Sequence, residues 1–112
     1  MVVHEPGDWL TDSLQGVVAQ DYAALQLLVL VTGAETDEGS GAIRDRIATE
    51  APNAVVRFLG GNPGYSGACN SVLNLVQGES GLFCFLHDDV VMAPDAVARL
   101  VDEVYRSNAG VV

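Results

Sequence analysis

Phe83-Cys84-Phe85-Leu86-His87-Asp88-Asp89-Val90-Val91 is an apolar run that stops on two adjacent carboxylates. A buried strand ordinarily ends at Gly, Asn or Pro. Two like charges at its carboxyl end repel one another unless water or a cation separates them. The run therefore predicts a strand of an α/β protein, Leu82 to His87, that delivers an acidic turn to a binding site. In an extended chain alternate side chains share a face, so His87 and Asp89 are expected to point together and Asp88 the other way. On this reading Asp89 is the candidate metal ligand with His87 beside it, and Asp88 is the residue that orients the loop or accepts from a ribose. The plain alternative is that both carboxylates are turn residues before the next helix.

The rest of the chain supplies further strand and helix units around this one. Toward the N-terminus, Met1 to His4 reads as a strand, and Asp8 to Ala19 as a helix with Leu10, Leu14, Val17 and Val18 on one face before Gln20-Asp21-Tyr22 breaks it. Leu25 to Val31 is nearly continuous in apolar residues, the pattern of a parallel strand covered on both faces. After the polar loop from Glu35 to Gly41, Ser40 is the expected cap of a helix whose inner face is Ile43 and Ile47. Val55 to Leu59 is a third strand, and Gly60-Gly61-Asn62-Pro63-Gly64 is the strongest turn cluster. A helix is expected from Tyr65 to Val76, striped by Ala68, Cys69, Val72, Leu73 and Val76 and closed by Gly78. Pro94 opens a last helix with Val97, Leu100, Val101, Val104 and Tyr105 as a buried stripe, and Gly110 to Val112 starts a fifth strand.

Such alternation predicts right-handed βαβ crossovers: an α/β domain over residues 1–112, with a mostly parallel sheet and helices on both faces. Ligands of such sheets lie at the carboxyl ends of the strands. The first and last strands are short, so the chain reads as part of a longer protein with an unfinished sheet edge available for self-association.

Composition narrows the partners. Hydrophobic residues make up 49% of the 112, enough for a core. Fifteen acidic residues against five arginines and no lysine give a net charge of -10, which disfavours nucleic acid and anionic membrane surfaces. An anionic ligand near Asp88 and Asp89 would need a divalent cation or backbone N–H groups to offset repulsion. The absence of lysine excludes a mononucleotide P-loop, and the Gly-rich turn follows the third strand rather than the first, unlike a dinucleotide fingerprint. A bacterial receiver domain is excluded as well: only Glu5 lies in the loop after strand one, and the lysine is missing. Cys69 and Cys84 lack zinc spacing and are expected as buried free thiols. No membrane-length apolar run or signal peptide is present, and the expected location is cytoplasmic, with a membrane-associated parent protein left open.

In order along the chain, Ala19-Gln20-Asp21-Tyr22, the strand Leu27 to Val31, Asn62-Pro63-Gly64-Tyr65-Ser66-Gly67-Ala68-Cys69-Asn70, Phe85 to Val90 and Pro94-Asp95-Ala96 resemble the family-2 glycosyltransferases of the GT-A type. The resemblance implies a Rossmann-like nucleotide-binding half, a nucleotide-diphospho-sugar donor, Mn²⁺ or Mg²⁺ as cofactor, and inverting transfer to an acceptor hydroxyl on a glycan or lipid-linked sugar. It also implies Asp89 at the metal position and His4 and Glu5 in the loop facing the base. Asn62, Gly64, Ser66 and Asn70 would line the nucleotide side. Thr32 stands where the family commonly has a base-contacting aspartate, and His87 replaces the first acid of Asp-x-Asp. The catalytic base and acceptor half are expected outside these residues, leaving the segment alone inactive. The competing class is a non-catalytic interaction or scaffold module derived from such an enzyme.

Overall fold

The computed structural model describes residues 1–75 and 81–112. Strands β1 (Val2–Val3), β2 (Leu28–Val31) and β3 (Val55–Phe58) form a parallel sheet in that order. Helices α1 (Trp9–Val18) and α2 (Ser40–Glu50) connect them, and α3 (Gly64–Leu75) and α4 (Ala96–Ser107) follow. The register sets Val2 beside Leu30 and Leu28 beside Val55. After α3 the chain returns across the sheet to the free side of β1, where the Val2 N–H donates to Leu86 O at 3.0 Å and Val2 pairs with His87 in a single parallel bridge.

Alternation along the strands divides the core. Met1, Val3, Val29 and Val31 join Leu10, Leu14 and Val17 of α1 and Ile47 of α2 in one buried cluster. The intervening Val2 and Leu30 are buried outside that cluster, as are Ala68 and Val72 of α3, which packs on β1. Successive strand side chains project to opposite faces, and right-handed crossovers place α1 and α2 on one face and the return helix α3 on the other. The expected doubly covered parallel sheet is present.

Several expected elements differ. Residues 82–86 form no strand; only Leu86, which accepts from the Val2 N–H, and His87, bridged to Val2, meet β1. The rings of Phe83 and Phe85 lie 6.5 Å apart, and both phenylalanines are half exposed. Gly110 to Val112 adopts no strand; Val111 is 88% exposed and nothing pairs with it among the described residues. The α4 stripe is buried at Val97 alone, with Leu100 and Tyr105 open to solvent. Val18 is likewise exposed, since the core-facing arc of α1 closes at Val17. The thiols are free, but Cys69 is only half buried and Cys84 is exposed, because the strand that was to bury it is the incomplete one. The expected end of α3 at Val76 and Gly78 lies outside the described residues.

Capping differs as well. Ser40 is buried inside the first turn of α2, its hydroxyl donating to Glu35 O and Asp37 O at 2.6 Å each; Gly39, at φ +83°, is the residue that enters the helix. Gln20, beyond α1, fastens α4: its Nε2 donates to Gly16 O and Ala93 O, and its Oε1 accepts from the Val97 N–H at 2.9 Å. That long-range cap stands in for a local one, consistent with the orphan N–H groups every helix start carries. Among the described residues no helix is long and apolar enough to cross a membrane.

Candidate functional site

β1 lies between β2 and the returning 86–87 segment, so the direction of chain progression reverses at its carboxyl end. Such a switch point opens a crevice between neighbouring loops. His4 and Glu5 leave β1 there, Thr32 leaves β2, and His87 to Asp89 arrive from the other side.

Three of the expected residues meet directly. The His4 backbone N–H donates to Asp88 Oδ2 at 3.2 Å, and His4 Nδ1 shares a 2.7 Å hydrogen bond with Thr32 Oγ1. Thr32, which replaces an aspartate of the expected pattern, is therefore engaged by the first-strand loop. Glu5 follows with φ +45°, a left-handed backbone that is uncommon for a residue with a side chain and costs of order 1 kcal/mol. Its carboxylate is exposed beside the crevice.

The glycine turn closes the adjoining wall. Gly33 and Gly61 exchange an antiparallel bridge, with the Gly33 N–H donating to Gly61 O and the Gly60 N–H to Gly33 O, both at 2.9 Å. Asn62 Oδ1 accepts from the Gly64 N–H at 3.0 Å, and Gly64 takes φ +74° to turn into α3. Asn62 thus shapes the turn, a use of Asn side chains that needs no ligand. Ser66 and Asn70, four residues apart on α3, share an exposed helical face.

The turn itself departs from period two. Residues 88 and 89 curve out of the extended run, so strand alternation no longer decides where their side chains lie. Asp88 is half buried and engaged at its oxygen by His4, whereas Asp89 is exposed at the tip. The His87 ring stacks on Tyr65 with centroids 3.8 Å apart and planes 4° from parallel. Tyr65 lies in the first turn of α3, and burial raises its hydroxyl above the ordinary 10.0, with Cys69 and then Cys84 adding to the rise. Sequence reading did not single out Tyr65; an aromatic placed directly after the glycine turn was the available signal.

Among the described residues no three of His, Cys, Asp and Glu gather into a closed cage for a metal ion. That donor set fits an ion of the Mg²⁺ or Mn²⁺ class only if one or two protein groups hold it and ligand phosphates and water complete the octahedron. The exposed carboxylate of Asp89 at the tip of the turn suits such an open arrangement. Two shallow depressions, about 460 and 420 Å³, flank β3 at Arg44, Val56 and Arg57 and lie apart from the acidic turn.

Comparison with known proteins agrees with this geometry at the level of family. Residues 1–112 match the family model of glycosyl transferase family 2, and the chain belongs to that family. Similarity is also found to adenylosuccinate synthetases: 40% identity over 84 residues in Neisseria gonorrhoeae, 39% in Neisseria meningitidis and 38% in Xylella fastidiosa. Each alignment covers 68% of this chain and 19% of the synthetase, so the chain spans about a fifth of the length of these curated relatives. No solved structure matches.

Proposed function

We propose that this chain is the donor-binding part of an inverting glycosyltransferase, seating a nucleotide-diphospho-sugar in the crevice between the β1 loop and the acidic turn. The observation that carries the reading is the junction of His4, Thr32 and Asp88 at the switch point, which leaves Asp89 free on the same turn. The synthetase similarity leaves about a third of this chain unaligned, whereas the family model spans all of it, which favours the transferase.

In this reading Asp89 and His87 flank a Mn²⁺ or Mg²⁺ ion, which when bound neutralises charge on the diphosphate as it leaves. The acceptor oxygen bonds to the anomeric carbon while the carbon–phosphate-oxygen bond breaks, the electron pair leaving with the nucleoside diphosphate and the hydroxyl proton passing to a base. We place that base, and the surface for an acceptor glycan or lipid-linked sugar, outside residues 1–112; the segment alone then binds donor without transferring sugar. His4 and Glu5 face the base of the nucleotide. Thr32 lies beside them, Asn62 and Gly64 form the turn under the phosphates, and Ser66 and Asn70 line the far side. Both cysteines are free, which supports a reducing, cytoplasmic location.

Calorimetric titration of UDP, GDP and dTDP with Mn²⁺ tests the reading. Metal-dependent binding of one nucleotide is expected, weakened at least about tenfold by Asp89→Ala, a loss of the size usual for groups that hold a metal. A folded chain that binds none of them with Mn²⁺ or Mg²⁺ would instead be an interaction module that has lost its donor.

A further inference from the structure

Among the described residues, two hydrogen bonds reach the acidic turn from the side of β1, Val2 N–H to Leu86 O and His4 N–H to Asp88 Oδ2, while Gln20 Nε2 to Ala93 O and the Asp21 N–H to Pro94 O anchor the chain just beyond it. The parallel stack of His87 on Tyr65 is the contact that reaches the turn from α3. None of these hydrogen bonds touches the His87 side chain, whose ring is held by the stack on Tyr65. We propose that Tyr65 is a positioning residue for donor binding: its ring, stacked on His87, fixes the turn that presents Asp89 to the crevice.

Tyr65 is well built for this. It occupies the second position of α3, immediately after Gly64, whose φ of +74° is set by the turn and whose N–H is held by Asn62. Gly67 keeps the start of the helix close to the turn, since a Cβ there would come within 2.8 Å of Pro63 Cβ. The tyrosine ring thus stands on a rigid support, and an aromatic plane at 3.8 Å restrains the imidazole to rotation within its own plane. The contribution is made through His87 rather than by touching the donor. It rests on the donor-binding reading above, and it predicts which residue outside the expected pattern that site depends on.

Tyr65→Phe and Tyr65→Ala in the full chain separate these ideas, with helical circular dichroism confirming that both fold. The first readout is the proton shift of the His87 ring, told apart from His4 by a His4→Gln sample; it reports the stack whether or not nucleotide binds. The second is the affinity for UDP, GDP or dTDP with Mn²⁺. Tyr65→Ala is expected to move the His87 resonances out of the ring-current field and to weaken metal-dependent binding about tenfold, the usual size for a residue that orients a ligand from behind. Tyr65→Phe is expected to preserve both. If the wild-type chain binds and Tyr65→Ala binds equally well, the positioning role is overturned and the donor reading stands. If the wild type binds no nucleotide, both fall. Unchanged His87 shifts in Tyr65→Ala would overturn the stack itself.

Discussion

Gly33 is the residue on which the loop after β2 depends most directly. Its φ is +87°, and a Cβ at that position would lie 2.8 Å from Asp37 Oδ2, the oxygen that accepts from the Ala34 N–H at 2.6 Å. Gly33→Ala is expected to lower stability by about 1–2 kcal/mol from the left-handed backbone alone, seen as a lower urea midpoint. Gly41, in the first turn of α2 with open space around it, gives the opposite result: Gly41→Ala should raise stability by up to about 1 kcal/mol through helix propensity. At this scale the sequence was informative wherever a residue type has one dominant use. The glycine cluster of residues 60–64 was a turn, and His4 and Thr32 reached the crevice. Strand alternation assigned Asp88 and Asp89 separate roles, although both lie in a turn where that alternation no longer holds, and the structure engages Asp88 with the His4 N–H. Tyr65 escaped notice because its stacking partner lies 22 positions away in the sequence, and no local pattern announces such a pair.

Among the elements, apolar periodicity predicted α1 to α3 and the three parallel strands to within a few residues. It did so because each buries one well-defined arc or run against a partner. Leu14, fully buried between helix and sheet, shows the weight of that burial: Leu14→Ala is expected to cost about 2–5 kcal/mol. Leu100, on the equally regular stripe of α4 but 40% exposed, should cost less than about 1 kcal/mol when changed to Ala. Chemical denaturation of the two variants measures the contrast. The stripe on α4 reports an amphipathic helix correctly, yet periodicity says nothing about whether a partner is there to cover it. The same holds for residues 82–86, whose pattern reads as a strand while only Leu86 and the following His87 meet β1. The cap that Gln20 supplies to α4 was invisible for a related reason, since a side-chain partner in a distant segment leaves no spacing to read.

For the molecule as a whole, an acidic chain of net charge -10 carries its five arginines chiefly in local contacts, as in Arg99 with Asp95, Arg106 with Glu103 and Arg44 with Glu35. Exposed pairs of this kind contribute little to stability, so the fold rests on its two apolar layers. Its pH dependence includes an unusual component at the very start of the polypeptide. Burial holds the Met1 amine below its ordinary 8.0, with Cys69 and Cys84 acting in the opposite direction, and the amine donates to Leu28 O at 2.9 Å. Between the lowered folded value and 8.0 the unfolded chain binds the proton more readily, so this group's contribution to stability rises with pH through that window and levels off above it. Urea melts near about pH 6.5 and about pH 8.5 should show the increase, and acetylation of the amine should remove this component. The bond from His4 to Asp88 joins positions 84 apart. Closing so long a loop is among the slower and entropically dearer steps available to a small domain. The crevice therefore cannot exist as a local, early-formed nook: on a growing chain it would be completed only after the acidic turn at Asp88 has emerged, and whatever occupies it afterwards acts as a clasp between segments far apart in sequence.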